Sequence, residues 1–290
     1  MPEGPEVETI RRGLELWLVG QTMAEIDVLW QKSFPVPESE INRFVTGATI
    51  THVSRRAKVL IVEFDTDYAL LCHLKMTGQM VVVKADGERF AGGHPTESMR
   101  TKLPDRSTRV VFSLLSGDQL YFNDQRKFGW IKLVQISAIG LDPLVARLGP
   151  EVLSNEFSEK RLAAALVAHG RSPVKAVILD QSTAAGIGNI YADESLHLAR
   201  IHPGRLAGGL SPGEVKRLHM ALRDIMTAGI DHGGTSFAHY VNSLGGKGDY
   251  LDHARVFRRA GLPCGVCGSV IEKIRVAGRG THICPACQKL

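Results

Sequence analysis

The sequence predicts an α+β fold in two domains, with a β-rich N-terminal part and a helical part that ends in a basic, cysteine-bearing tail. Three observations predict it. Short apolar runs punctuated by turn residues fill the stretch from about residue 23 to 136, helical periodicity takes over from 141 to about 231, and four of the five cysteines crowd the C-terminus. A length of 290 residues suits about two domains, and 44% apolar with 22% charged residues excludes a disordered or fibrous chain. No apolar run approaches the ~18 residues of a membrane span, and the start Met1-Pro2-Glu3-Gly4 has no basic, apolar leader, so a cytoplasmic protein is expected.

Taken in order, Pro5-Glu6 opens a helix in which Val7, Ile10, Leu14 and Trp17 recur at helical spacing until Gly20. Strands are expected at 58–64, 68–74, 79–84, 108–115 and 119–123, joined by turns at 65–67 and 116–118, as an antiparallel sandwich or barrel. The polar stretch 85–106 is too long for a hairpin turn and reads as a mobile loop. Helices are expected to begin near Ser158, Pro173 and Ser211-Pro212-Gly213-Glu214.

The net charge of +5 is concentrated in the tail, where seven Lys and Arg residues from His253 to Leu290 face a single acid, Glu272. A basic tail favours a polyanionic partner. Within it, Cys264-x2-Cys267 and Cys284-x2-Cys287 have the spacing of two knuckles that bind one structural Zn2+ through four thiolates. Two disulfides would need an oxidising compartment. The residues between the knuckles read as a hairpin with Gly278-Arg279-Gly280 at its tip, which would aim Arg279 at a polyanion. Cys72 sits in an apolar run and reads as core.

Six stretches, in order from residue 1 to 287, resemble one family, the formamidopyrimidine-DNA glycosylases and their endonuclease VIII relatives. They are Met1-Pro2-Glu3-Gly4-Pro5-Glu6-Val7-Glu8-Thr9, Arg55-Arg56-Ala57-Lys58, His73-Leu74-Lys75-Met76-Thr77-Gly78, Asn123 to Gly129, Asp180-Gln181 through Gly186-Ile187-Gly188-Asn189 to Glu194, and Gly278 to Cys284. The resemblance implies a catalytic β-sandwich domain with flanking helices at 1–135, a linker at 136–150, a helix-two-turn-helix domain at 151–250 and a four-cysteine zinc finger at 251–290. It also implies a monomer that acts on double-stranded DNA carrying an oxidised base, in the cytoplasm with the nucleoid, without a membrane or a nucleotide cofactor.

Its residues follow one by one. After loss of Met1, Pro2 would be a secondary amine, and an α-amino group (about pKa 7.7 to 8.0) is far more often unprotonated at pH 7 than lysine (about 10.4). By resemblance Pro2 attacks the sugar C1′, Glu3 moves protons and Glu6 orders the site, while Glu8 reads as a solvated helix face. Lys58, Asn189 and Arg279 would hold phosphates. Met76, Arg126 and Phe128 would fill the gap left by an extruded nucleotide, as an apolar plug, a planar donor and a wedge. Ser107 stands where relatives often carry a phosphate-binding histidine, which leaves nearby Arg109 as the DNA contact. The stretch 234–250 reads as a mobile lid.

The resemblance implies a bifunctional glycosylase and abasic-site lyase for oxidised purines. Gly4 points instead to the pyrimidine-directed branch, whereas Val7-Glu8-Thr9 and Arg126-Lys127-Phe128-Gly129 point to the purine-directed one. A silent damaged-DNA binder would not need Pro2, Glu3 and Lys58 together, and a zinc-ribbon interaction module would not need Met76, Arg126 or Phe128.

Overall fold

Residues 1–235 and 248–290 are described by the computed structural model. Two units separate: Met1–Ala146 with the described residues of Gly233–Gly248, and Arg147–His232 with Asp249–Leu290.

In the first unit, helix α1 (Gly4–Leu18) has Pro5 in its first turn, where the missing N–H costs nothing, and Glu6 against the helix dipole. Its face Val7, Ile10, Leu14 and Leu18 is buried. Then follow β1 (Met23–Val28), the short α2 (Glu38–Phe44), β2 (Ile50–Arg56), β3 (Val59–Phe64), β4 (Tyr68–His73), β5 (Gly78–Val83), β6 (Arg89–Gly93), β7 (Thr108–Leu114), β8 (Gln119–Asp124) and β9 (Trp130–Gln135). They form two antiparallel sheets, ordered β1-β7-β8-β5-β6 and β2-β3-β4-β9. One core joins them: Leu60, Val62, Phe64 and Leu70 of one sheet meet Met80, Val82, Phe112 and Phe122 of the other, with Ile10 and Leu14 of α1. The fold is therefore a sandwich with α1 against it rather than a barrel. Gly13 makes that approach possible, since a Cβ there would come within 2.2 Å of the Phe90 ring.

Both outer faces are also covered, which explains strands apolar on both sides such as Val59-Leu60-Ile61-Val62. Val59, Ile61 and Leu71 pack beneath Ile136, Ile139 and Val145. On the other sheet, Val81, Val111 and Tyr121 pack beneath Met99 and Leu103. The expectation of a mobile loop at 85–106 is thus corrected. That stretch supplies edge strand β6 and then a cover whose Met99 and Leu103 are 2% and 8% exposed. Its polar composition hid the two apolar anchors.

In the second unit, α3 (Glu159–Ala168) starts on Ser158, whose hydroxyl accepts the Arg161 N–H at 3.2 Å. Two turns join α4 (Val174–Leu179) to α5 (Asn189–Leu198), the helix-two-turn-helix, and the 20-residue α6 (Pro212–Asp231) opens with a Ser211/Glu214 capping box. The C-terminal hairpin pairs β10 (Glu272–Val276) with β11 (Arg279–Ile283). Its turn is Ala277-Gly278, both at positive φ (49° and 75°), the signature of a two-residue hairpin. Arg279 is therefore not the tip as expected but the first residue of β11, opposite Val276. No helix among the described residues is long and apolar enough to cross a membrane.

Candidate functional site

In the first unit the residues expected to carry the chemistry start at the N-cap of α1. Pro2 is buried and Glu3, the N-cap residue, is 4% exposed. Glu6 ties this start down: its Oε2 accepts the Glu3 N–H at 2.8 Å, and its Oε1 accepts the N–H and hydroxyl of Thr235 at 2.7 and 3.0 Å. Gly234, at φ +80°, packs directly on that carboxylate. Thr235 thus fixes the point where the expected 234–250 lid departs, and most of that stretch, 236–247, lies outside the described residues.

Glu8 corrects the expectation of a solvated helix face. Its side chain is 12% exposed and grips Arg11 (3.1 Å), Arg12 (2.9 Å) and Arg55 (2.8 Å). Burial pushes its carboxyl up, but the three guanidinium groups outweigh burial and hold it below the usual range. Because Arg55 is the penultimate residue of β2, Glu8 anchors α1 to the hairpin that carries Lys58. Lys58 itself is 8% exposed, in a two-residue turn with Ala57 at φ 52°.

Met76 (42% exposed) and Phe128 (55%) both protrude, and the Arg126 guanidinium lies 4.9 Å over the Phe128 ring. Their turns share one buried hub, Asp124. It accepts the Thr77 hydroxyl, the Arg126 N–H at 3.1 Å and the Gly129 N–H at 2.6 Å. Gly129 leaves the room, since a Cβ there would meet Phe122 at 2.7 Å. Arg109 is 7% exposed, with Nε on the Asp124 carbonyl at 2.8 Å and a terminal nitrogen on the Thr108 carbonyl at 3.3 Å. Ser107 is equally internal, bonded to Asp105 and Ser98. A residue missed in the sequence is His94. Burial and the chain's N-terminal amine hold its pKa below the usual value, with Asp124 opposing.

His73 braces the Met76 turn. Its buried ring accepts the Lys75 N–H on Nδ1 at 2.9 Å, and burial with the charges of Lys75 and Lys58 lowers its pKa to about 3. An unfolded imidazole titrates near 6.5, so above that pH both states are neutral and the full contribution is present. As pH falls toward 3 the unfolded chain alone takes the proton, and stability is lost at up to about 1.4 kcal/mol per pH unit. Denaturant unfolding of wild type and His73→Gln at pH 7, 5.5 and 4.5 should show a shallower decline in the variant. Parallel declines would mean that His73 is not the sensor.

In the second unit, α5 is the organiser. Its first residue, Asn189, donates Nδ2–H to the Gly280 carbonyl at 3.0 Å, which sets it beside exposed Arg279. Gln181 shapes the turn before α5, donating to the Ile187 carbonyl (2.8 Å) and accepting the Gly186 N–H (3.1 Å). Deeper on α5, Asp193 accepts from fully buried Lys175 (2.5 Å) and from the His282 N–H (2.8 Å), and Lys175 also donates to the Thr281 hydroxyl (2.7 Å). Next to it, Glu194 accepts three N–H groups, from Arg255, Val256 and Phe257. Of these buried polar residues only Lys175 lies outside the stretches that carry the resemblance, and the structural roles of the others show only in their burial and partners.

The cysteines converge as their spacing predicts. Sulfur separations are 3.4 Å for Cys267 and Cys284 and 4.0 Å for Cys264 and Cys287. Tetrahedral ligation at about 2.3 Å per Zn–S bond places sulfurs about 3.8 Å apart, so the donor set fits one structural zinc. The Val266 N–H points at Cys264 Sγ (3.4 Å) and the Cys287 N–H at Cys284 Sγ (3.5 Å), which suits thiolates. Cys72 is buried core, its thiol pushed up by burial.

Comparison with known proteins matches this arrangement along the whole chain. Three family models apply: the formamidopyrimidine-DNA glycosylase N-terminal domain at residues 1–131, its H2TH domain at 148–240, and the zinc finger found in FPG and IleRS at 261–290. A formamidopyrimidine-DNA glycosylase of Herpetosiphon aurantiacus is 42% identical, over 99% of this chain and 100% of the relative. Among solved structures, a Lactococcus lactis Fpg mutant bound to Fapy-dG-containing DNA superposes with a TM-score of 0.88 at 33% identity, covering 100% of both chains. The wild-type Lactococcus lactis Fpg bound to DNA containing an oxidised pyrimidine gives 0.87 at 33% identity, again over 100% of both. With the sandwich, the helix-two-turn-helix and the zinc finger each matched in turn by this one family, and a relative above 40% identity end to end, the chain belongs to the formamidopyrimidine-DNA glycosylase family.

Proposed function

We propose that the chain excises oxidised purines, 8-oxoguanine and formamidopyrimidines, from duplex DNA and then cleaves the abasic strand. The observation that carries this reading is a buried carboxylate, Glu3, directly after Pro2, on a helix start held by Glu6. Removal of Met1 turns the Pro2 nitrogen from an amide into a secondary amine. Its lone pair forms a bond to C1′ as the sugar ring opens, and the bond from C1′ to the damaged base breaks, the base leaving with a proton. Loss of the amine proton gives an iminium, whose electron demand acidifies the neighbouring C–H, so β- and then δ-elimination expel the two phosphates. Glu3 supplies and recovers the protons.

Lys58, Asn189 and Arg279 hold DNA phosphates, and Met76, Arg126 and Phe128 occupy the vacated stack. Arg109, expected as a DNA contact, has Nε and one terminal nitrogen on backbone carbonyls, so its part is to brace the 124–129 loop that meets the DNA. Zinc, when bound, fixes the hairpin that presents Arg279. The protein works as a monomer in the cytoplasm, at the nucleoid. The Arg126-to-Gly129 loop favours purines over the pyrimidine reading suggested by Gly4. Duplexes carrying 8-oxoguanine or a formamidopyrimidine should be cut at least about tenfold faster than thymine-glycol duplexes, equivalent to about 1.4 kcal/mol of transition-state discrimination. A reversed order in single-turnover assays would transfer the protein to pyrimidine lesions.

A further inference from the structure

The zinc finger has a fifth donor beside its four cysteines. His197, near the end of α5, is 3% exposed, and its Nε2 lies 3.5 Å from Cys264 Sγ. One donor atom from each of His197, Cys264, Cys284 and Cys287 forms a cluster in which all lie within 4.8 Å of one another. The other ring nitrogen, Nδ1, is buried with no hydrogen-bond partner among the described residues. Leaving a buried polar atom unpartnered costs about 1–3 kcal/mol, a cost that an apolar side chain in the same space would not carry. Cys267 contrasts with the other three cysteines: it is the exposed one.

We propose that His197, Cys264, Cys284 and Cys287 form a second complete donor set for zinc, overlapping the four-cysteine set and retaining the metal when Cys267 leaves it. Three thiolates and a neutral imidazole are a standard tetrahedral zinc environment. Exchange of Cys267 for His197 also reduces the negative charge of the site by one unit and replaces an exposed donor with a buried one. His197 stands on the helix that begins with Asn189, so the exchange would keep the hairpin joined to α5. The inference rests on the zinc site alone, independent of which lesion the enzyme removes.

The test compares wild type, His197→Phe, Cys267→Ala and the double variant, each zinc-loaded full-length protein, by chelator competition and by zinc X-ray absorption. Cys267→Ala should keep one zinc with affinity lowered about 10–100-fold, and adding His197→Phe should lower it at least about tenfold further. His197→Phe alone, with four cysteines intact, should bind zinc within about threefold of wild type, which also reports that phenylalanine is tolerated there. Absorption spectra should show four sulfurs in wild type and three sulfurs with one nitrogen in Cys267→Ala. The proposal is overturned if Cys267→Ala loses zinc as Cys264→Ala does, or if it binds zinc no more tightly than the double variant. It is also overturned if His197→Phe weakens binding equally with and without Cys267, which is the behaviour of a histidine that only donates a hydrogen bond to Cys264.

Discussion

Glu3→Gln is expected to bind lesion DNA like wild type and to excise the base about 10²- to 10⁴-fold more slowly, the range typical of a lost acid-base group. Glutamine keeps the size and the acceptor oxygen at the start of α1 but cannot deliver or recover a proton. Arg279→Ala should behave in the opposite sense. The fold and the zinc remain, while affinity falls and the slope of log affinity against log salt becomes shallower by about 0.9, the contribution of one phosphate contact. Binding at several salt concentrations, with single-turnover excision at saturating enzyme, separates the two. Equal losses of both quantities in Glu3→Gln would return that residue to a purely structural role.

The second large effect lies away from the chemistry. Lys175→Met leaves Asp193 as an uncompensated buried carboxylate, and breaking such a pair from one side costs about 3–5 kcal/mol. Both members are 0% exposed, so solvent cannot take over the interaction. For a protein of this size the melting temperature should drop by on the order of 10 °C. Since Lys175 and Asp193 also hold Thr281 and the His282 N–H, DNA affinity should fall with it, although neither residue is proposed to touch DNA. Differential scanning calorimetry of the zinc-loaded variant checks this, and an unchanged transition would show that the pair contributes no net stability.

These two effects differ in how visible their causes are in the sequence. The four cysteines announce themselves by spacing, because ligation geometry fixes the chain length between donors. Pro2, Glu3 and Lys58 are legible through family resemblance, since nothing in composition marks a proline after Met1 as a nucleophile. Lys175, by contrast, looks like any surface lysine, and nothing local pairs it with Asp193, 18 positions on in a stretch that carries the resemblance. Likewise the contact from Glu6 to Thr235 spans 229 positions, and no local pattern encodes it. For Glu8, helical spacing gives its face but not the three arginines that converge on it. The stretch 85–106 differs from its expectation because two buried side chains, Met99 and Leu103, suffice to dock an otherwise polar segment on a sheet. For the sandwich, short apolar runs indicated strands, and choosing a sandwich over a barrel required seeing both sheets share one core.

The central claim is that the amine of Pro2, once Met1 is removed, carries the reaction. Incubating the mature protein with a duplex containing 8-oxoguanine in the presence of borohydride would reduce any iminium to a stable amine. The account predicts a covalent protein–DNA adduct whose peptide map places the DNA on Pro2, together with loss of that adduct when Met1 is retained. An adduct on a lysine, or none with either the lesion or an abasic site, would contradict it.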